Sequence, residues 1–554
     1  MSNSKKKSNF IVQGSILAVA SIISRIIGLL YRLPMTDIIG DLGNSYYSTA
    51  FELYSVMLMI SSYSLPLAVS KLVSSSMAKG QRKMTYKILK GALIFATVSG
   101  TLVAFIVYFG AEFFTNTLLK TPLSIFALKI LAPALVVVAI LGVIRGFFQG
   151  LGTMMPSAIS QILEQIVNAV VSVWAAFMLV RMGAKVGAVL GDKENYAAAY
   201  GAAGGTLGTN LGSVFALLFV LFVLVVYLKV FKRQMRRDRS KTVKSFGSIM
   251  YMLVITIIPV LLSTTIYNIS GIIDQGLYKN IAFLQGYDDK DINVWWGVFA
   301  GKYKLMINVP ISIASAMAAS SVPTLTASFA SGDTEGVRNQ INAAMRFVMV
   351  IAFPCAVGLA VLSAPIFTIL FPSTVQTLAY ANKMMWMGSI AVVFYSMSTL
   401  SNGLLQGINR MKAPVKNAII ALVAHILLLI AMMMFFRLNI YAVVIANTLF
   451  ALFMCILNAR DLYRYSGYKQ EVVKTFIIPA ICSLIMGVVA FGVYQGIYKL
   501  TSVMPLAFVV AFALAVVVYA VTMLLLKGLE EDEILKFPKG ASLVRLFKKI
   551  NLLK

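Results

Sequence analysis

The hydrophobic residues of this chain fall into long unbroken runs, with short polar and charged stretches between them. Most runs reach about 20 residues, which is the length that spans a bilayer as an α-helix. The pattern therefore predicts fourteen membrane spans. They lie near 10–32, 48–70, 88–110, 123–145, 157–180, 205–228, 249–283, 297–325, 341–371, 377–405, 413–436, 440–459, 474–497 and 503–527.

The amino-acid composition agrees with this pattern. Of the 554 residues, 59% are hydrophobic and 12% are charged, and the mean hydropathy is +0.86. A soluble globular chain carries about 25% charged residues. The cysteines Cys355, Cys455 and Cys482 lie inside apolar runs without the spacing of a metal site or a disulfide framework, so we interpret them as packing residues. The predicted class is an all-α polytopic membrane protein.

The formal net charge of +28 is arranged as topology signals are, because Lys and Arg cluster in alternate short loops. The loop 71–90 carries six of them and the loop 229–248 carries eight, whereas the loop after the first span carries Asp37 and Asp41. This arrangement argues against a nucleic-acid partner, and the positive-inside rule places the basic loops in the cytoplasm. An even number of spans then predicts that both termini are cytoplasmic.

Two short segments repeat at one fixed distance. "GFFQGLGTMMP" begins at Gly146 and "GLLQGINRMKAP" begins at Gly403, while "SLP" at Ser64 matches "SVP" at Ser321 at the same offset. Both matches are six spans apart, which predicts two parallel six-helix bundles with a binding site between them, followed by two added helices. The predicted parts are an N-lobe at 1–240, a C-lobe at 241–465, and the added helices with a charged cytoplasmic tail at 466–554.

Arg25 and Arg32 bring positive charge into the first predicted span. At about 100° per residue, their separation places them within roughly 20° on one helix face and about 10 Å apart. Lipid would penalise each arginine by at least ~2.5 kcal/mol near the membrane centre. The pair predicts a polar cavity beside this helix, with snorkelling to the headgroups as the alternative, above all for Arg32.

Five further ionisable residues inside predicted spans are candidates for the same substrate-binding site, because charges within a membrane mark function by default. Lys302 and Lys304 open the eighth span, where snorkelling is again the alternative. Glu52, Glu164 and Asp274 are candidate partners for the cations. Structural pairing between helices is an equally good interpretation of these three carboxylates.

Motifs that are typical of enzymes are missing from the sequence. It has no G-x-x-x-x-G-K-[ST] phosphate-binding loop and neither an H-E-x-x-H nor a G-x-S-x-G pattern. Asp289 and Asp291 form a D-x-D pair, but in a short loop that we interpret as a solvated acidic loop. The sequence therefore predicts a transporter rather than an enzyme, with no cofactor and with coupling to a counter-ion or to the membrane potential.

Three segments carry a family resemblance: SRIIGLLYRLPMTDIIG in the first span, ELYSVMLMISSYSLPLAVSKLVS in the second, and KYKLMINVPISIASAMAASSVPTLTASFASGD in the eighth. They resemble the MOP superfamily, specifically its MurJ and SpoVB/YtgP-like lipid II flippases, and the resemblance covers roughly residues 10–465. It implies two helical bundles around a cationic cavity in a bacterial plasma membrane. It also implies that Arg25, Arg32 and Lys304 contact the substrate. At Lys304 the family has arginine. Lysine keeps the positive charge but cannot form the bidentate hydrogen bonds of a guanidinium group.

The resemblance implies a flippase that moves the undecaprenyl-pyrophosphate-linked peptidoglycan precursor, lipid II, from the cytoplasmic to the outer leaflet by alternating access. The implied partners are this anionic lipid-linked precursor, membrane lipids and the cell-wall synthesis or division machinery. Three alternatives stay open. A flippase for another lipid-linked oligosaccharide fits the same residues, a MATE-type multidrug antiporter would need a carboxylate-rich cavity, and a non-transporting scaffold would not need charges along one helix face.

Overall fold

The computed structural model describes residues 16–17, 19–236, 238, 245–528 and 545, without the side chains of 63, 258–268, 319, 323 and 327. All regular secondary structure in this described part is helical, and eleven of its helices are long and apolar enough to cross a membrane. A helix pair bent by 54° makes twelve if it counts as one span. The prediction of an all-α membrane protein is confirmed, whereas the fourteen spans and the repeat arrangement stay predictions.

The chain divides into two compact units, Met1–Gly301 and Lys302–Lys554, and the predicted lobe boundaries stay predictions. In unit 1, α5 is central because it packs against α2, α3, α4 and α7. The helices described in unit 1 are α1 Val19–Leu30, α2 Arg32–Leu58, α3 Leu65–Ala78, α4 Arg82–Phe109, α5 Ile125–Gly150, α6 Met155–Leu190, α7 Lys193–Arg236, α8 Phe246–Asn268, α9 Ser270–Leu284 and α10 Asp289–Val298.

Unit 2 begins within a π-helical turn, Phe299–Tyr303, that follows α10. Its helix α15 packs against α11, α12 and α17, and the last two helices pack together beside α12. The helices described in unit 2 are α11 Lys304–Ala330, α12 Thr334–Val361, α13 Ser363–Leu370, α14 Leu378–Gly388, α15 Ala391–Gly407, α16 Lys412–Met434, α17 Ile440–Ser466, α18 Ile478–Thr501 and α19 Met504–Leu525.

Several predicted boundaries differ in the structure. The predicted loop between the first two spans is helical within α2 and is interrupted only at Gly40, whose φ of 69° and ψ of 178° suit glycine alone. The long run 249–283 is divided between α8 and α9, and the run 341–371 between α12 and α13. Pro365 falls in the first turn of α13, where its missing N–H interrupts no helical hydrogen bond.

The glycines of the repeated segment make close helix contacts inside each unit. A Cβ on Gly146 of α5 would lie 2.5 Å from the Pro66 carbonyl oxygen of α3. A Cβ on Gly403 of α15 would lie 2.8 Å from the Ala318 Cβ of α11. Glycine is therefore required at both positions, because it lets two helices in a membrane approach closely.

Loops that are predicted to share one membrane side contact each other in unit 1. In unit 1, the Lys83 backbone N–H donates to Asp238 Oδ2 at 2.8 Å, which joins two basic loops. Tyr46 Oη donates to Asn195 Oδ1 at 3.1 Å, which joins two of the opposite loops. The predicted alternation of loops agrees with these contacts. Which side is cytoplasmic stays a prediction.

Candidate functional site

Helix α1 has a polar packed side and an exposed apolar side. Ser21 Oγ donates to Gln161 Oε1 of α6 at 3.2 Å, and a Cβ on Gly28 would lie 3.4 Å from Gln165 Oε1. The opposite side carries exposed apolar side chains, as an amphipathic helix does. These exposed residues are Val19, Ile22, Ile23, Ile26 and Leu30.

Arg25 lies closer to the polar side of α1 than to its apolar stripe. At about 100° per residue, it is about 70° from the centre of the side with Ser21, Ser24 and Gly28, and about 120° from the centre of the stripe. Its side chain is exposed, and it forms no hydrogen bond or ion pair with a described residue. Arg25 therefore presents an available charge at the edge of a polar surface.

Arg32 begins α2 directly after Tyr31, whose backbone is also helical, and its side chain is half-buried against two aromatic rings. Its Cζ lies 5.3 Å from the ring centroids of both Tyr47 and Phe51, and these two rings stack 5.6 Å apart. Ring faces stabilise a cation by about 0.5–2 kcal/mol without neutralising it. No described carboxylate is within 4.0 Å of the guanidinium, so Arg32 is a positioned cation.

Glu52 is the predicted carboxylate that lies near these cations. A Cβ on Gly271 of α9 would be 3.3 Å from the Glu52 carboxyl carbon, so the carboxylate packs where α2 meets α9. Glu52 acts electrostatically on Arg32 from this position. The negative charge of Glu52 therefore offsets part of the positive charge of Arg32.

Glu164 has a different partner from those that the sequence suggested. Arg145 of α5 donates from Nη2 to Glu164 Oε2 of α6 at 2.8 Å, and from Nε to Ser160 Oγ at 2.8 Å. Both side chains of the ion pair are largely buried, with 14% and 21% exposed. The contact is the structural pairing between helices that the sequence left open, and a substrate role for Glu164 stays a prediction.

Lys302 is fully buried in unit 2. Its Nζ donates to Thr377 Oγ1 at 2.7 Å and to the Thr374 carbonyl oxygen at 3.4 Å, in the turn that precedes α14. Lys302 therefore does not snorkel in this structure. Lys304 is half-buried at the first position of α11, and Asp274 is buried on α9. Substrate contacts of these three residues stay predictions.

Lys279 of α9 is a buried cation that the sequence analysis missed. It is wholly enclosed in unit 1, where its Nζ donates to three neutral oxygen atoms. The signal was present, because a lysine inside the apolar run 249–283 is itself unusual. The acceptors come from three other chain segments, which the sequence alone does not bring together.

We refer to Arg25, Arg32, Tyr47 and Phe51 as the cationic patch. Guanidinium groups form charge-assisted and often bidentate hydrogen bonds with phosphate and carboxylate oxygens. Among the residues that the structure describes, no group of three or more His, Cys, Asp or Glu side chains is placed to hold a metal ion. The guanidinium groups of the patch would suit an anionic group through such hydrogen bonds.

Comparisons with known sequences cover most of the chain. A model of the polysaccharide biosynthesis protein family matches residues 11–329, and a model of the lipid II flippase MurJ matches residues 295–527. The chain is 27% identical to the lipid II flippase MurJ of Bacillus subtilis (strain 168) over 486 residues, 85% of this chain and 86% of that protein. It is 29% identical to stage V sporulation protein B of the same organism over 154 residues, 28% of this chain and 30% of that protein.

Comparisons with solved structures give the fold. The chain is similar to the inward closed conformation of the lipid II flippase MurJ, with a TM-score of 0.64 and 16% identity over 92% of this chain and 98% of that one. It is also similar to an inward-facing MATE family multidrug resistance transporter of the MOP superfamily, with a TM-score of 0.64 and 14% identity over 81% and 96%. At such identities the likeness shows the fold alone. Because its family model matches more than half of the sequence, the chain belongs to the polysaccharide biosynthesis protein family, and it has the MOP-superfamily fold that MurJ and MATE structures share.

Proposed function

We propose that this protein is a flippase, which moves lipid II from the cytoplasmic to the outer leaflet of the bacterial plasma membrane by alternating access. The similarity to MurJ over 85% of the chain supports this substrate. The observation that carries the proposal is the cationic patch, where Arg32 rests on two ring faces and Arg25, seven residues earlier in the sequence, is exposed.

The headgroup of lipid II carries a pyrophosphate and peptide carboxylates, so it is anionic. Arg25 and Arg32 would bind the pyrophosphate, each through charge-assisted hydrogen bonds worth about 1.5–3 kcal/mol. Because Arg32 is already held against Tyr47 and Phe51, little side-chain entropy would be lost on binding. The patch is thus suited to an anionic headgroup and unsuited to a cationic drug, which favours a flippase over a MATE-type antiporter.

The membrane potential is a sufficient energy source for this transport. An inside-negative potential favours outward movement of an anion by about 2.3 kcal/mol per charge per 100 mV. A headgroup with two net negative charges would gain roughly twice that amount. We therefore propose that transport is coupled to the membrane potential or to a counter-ion and uses no cofactor.

Fourteen spans, arranged as two parallel six-helix copies and two added helices, with both termini in the cytoplasm, complete the proposed arrangement. Two hydrogen bonds support this topology, because each joins two loops that are predicted to lie on the same side of the membrane. They connect Lys83 to Asp238 and Tyr46 to Asn195. The cell-wall synthesis or division machinery is the proposed consumer of the translocated precursor.

Depletion of the protein in its host tests the substrate directly. We expect lipid II to accumulate on the inner leaflet, where an externally added, membrane-impermeant enzyme does not reach it. Re-expression of the normal chain should restore its outer-leaflet exposure. Accumulation of a different undecaprenyl-linked glycan, with lipid II distributed normally, would replace the proposed substrate, and no accumulation at all would favour a scaffold.

A further inference from the structure

The enclosure of Lys279 sets it apart from the other cations of unit 1. Its ammonium donates to Ser45 Oγ at 3.1 Å, to Thr121 Oγ1 at 2.5 Å and to Asn293 Oδ1 at 2.8 Å. An ammonium has three N–H donors, and three acceptors satisfy them all. The bonds connect α9 to α2, to the turn before α5, and to α10.

No carboxylate neutralises Lys279 directly. None lies within 4.0 Å of its Nζ in the described part of the chain, and Asp289 and Glu52 act on it only from further away. Burial of a charge without an ion partner carries a desolvation cost, and removal of the lysine alone would leave its three acceptors without their donor. The lysine is therefore better explained by a state in which this position meets water.

The helices around Lys279 are joined by small residues at regular spacing. Asn293, Gly297 and Gly301 follow each other every four residues, which places them along one side of the segment. A Cβ on Gly297 would lie 1.7 Å from the Asp41 carbonyl oxygen, and one on Gly301 would lie 2.7 Å from Asn44 Cγ. The backbone of this segment thus lies directly against α2.

Polar side chains also form hydrogen bonds across the same contact. Ser45 Oγ donates to Asn293 Oδ1 at 3.0 Å, and Gln275 Nε2 of α9 donates to Thr49 Oγ1 of α2. Trp296 Nε1 donates to Ser48 Oγ at 3.2 Å. We call this contact of α2 with α9 and α10, together with Lys279, the outer seam. Its groups can exchange these hydrogen bonds for water when the helices part.

The position of the outer seam is informative. The sequence repeat assigns α2 to the first six-helix copy and α9 and α10 to the second, although all three pack within unit 1. Ser45, Thr121 and Asn293 all lie in or next to loops that are predicted to be extracytoplasmic. The seam therefore joins the predicted copies at the end where a flippase must open to release its substrate.

We propose that the outer seam is a releasable extracytoplasmic closure and that Lys279 is its latch. This inference rests on the proposed alternating-access function. With the seam closed, Lys279 holds four chain segments together through neutral acceptors. With the seam open, water would solvate the ammonium and the freed hydroxyl and amide groups. This solvation would reduce the free-energy difference between the closed and the open seam, as a transport cycle requires.

Cysteine labelling tests the latch without any transport assay. Thr49 is fully buried in the seam, so Thr49→Cys reports its opening to a membrane-impermeant maleimide added outside intact cells. We expect Lys279→Met to raise labelling by about tenfold, because unpaired buried acceptors disfavour only the closed seam. Lys290→Met is the matched control, since this exposed lysine pairs with Glu194 at the surface. The native cysteines are first replaced by alanine: Cys355, Cys455 and Cys482.

A milder variant covers the case that Lys279→Met fails to reach the membrane. Thr121→Ala removes one acceptor from a turn rather than from a helix core, and we expect a smaller rise in Thr49→Cys labelling. Unchanged labelling in a correctly inserted variant contradicts the latch. An equal rise with Lys290→Met also contradicts it, because the effect would then not be specific to the seam.

A cross-link tests the seam in transport. Ser45→Cys with Asn293→Cys places two thiols where Oγ and Oδ1 are 3.0 Å apart. We expect oxidation to stop precursor translocation and reduction to restore it. Full translocation with the cross-link formed would overturn the closure. If Thr49→Cys labelling responds as expected but the translocated precursor is not lipid II, the role of the seam as a closure is supported and lipid II is excluded as the substrate.

Discussion

The cationic patch and the outer seam both hold positive charge in unit 1, and they hold it in opposite ways. In the patch, Arg25 is exposed and Arg32 rests on ring faces, so both guanidinium groups keep donors for an anion. In the seam, Lys279 gives all three N–H groups to protein oxygens and is wholly buried. The comparison teaches that the partners of an intramembrane cation, rather than its place in an apolar run, indicate its role.

Removal of Arg25 should have the largest effect on transport. Arg25→Ala loses charge-assisted hydrogen bonds of about 1.5–3 kcal/mol, which corresponds to a loss of translocation of about tenfold to a hundredfold. Abundance in the membrane should stay normal, because Arg25 contacts no described partner. The measurement is complementation of a depleted host together with quantitative blotting of membranes. Normal growth on Arg25→Ala would remove the patch from the mechanism.

Disruption of the ion pair between α5 and α6 should affect stability more than transport. Glu164→Gln keeps an acceptor for Arg145 but loses the charge, and we expect a loss of about 1–3 kcal/mol in the free energy of unfolding. Thermal denaturation of purified protein in detergent measures it. Substrate translocation per folded molecule should stay within about twofold, well below the effect at Arg25.

The double variant Arg145→Met with Glu164→Met provides the control for this pair. Replacement of both partners by apolar groups should recover most of the stability that a single substitution removes. A transport defect in Glu164→Gln that is as deep as that of Arg25→Ala would instead assign Glu164 to the substrate site.

Lys302 should give the smallest effect, although the sequence placed it in the same candidate set as Arg25. Its Nζ is enclosed with Thr377 and the Thr374 carbonyl oxygen, and Thr377 Oγ1 also donates to that carbonyl at 3.1 Å. Lys302→Met should therefore change stability by about 1 kcal/mol or less and leave translocation near normal. Complementation and thermal denaturation check both parts. A severe loss of transport in Lys302→Met would mean that a fully buried cation can still be functional, so that burial does not distinguish structural from functional cations.

Sequence reasoning predicted the features that depend on one helix at a time. The run lengths predicted an all-α membrane protein, which is confirmed, whereas the shared side of Arg25 and Arg32 that their spacing predicted stays a prediction. The repeated glycines were visible as a pattern, and the structure adds their reason, which is backbone contact at Pro66 and Ala318.

Features that depend on packing between distant segments could not be predicted. Arg145 stands at the end of the predicted span 123–145, and its pairing with Glu164 inside unit 1 could not be read from that position. Gly40 interrupts a helix where a loop was expected, because its backbone conformation is not encoded in hydropathy. The acceptors of Lys279 come from three segments up to 234 residues away in sequence, and only the fold brings them to one ammonium.

Translocation in proteoliposomes tests the central claim most directly. Purified normal protein, Arg25→Ala and Lys302→Met would each be reconstituted with lipid II under an imposed potential, and the fraction that reaches the opposite leaflet would be measured with an impermeant enzyme. We expect transport by the normal protein and by Lys302→Met, and little transport by Arg25→Ala. Equal transport by Arg25→Ala and the normal protein would contradict it.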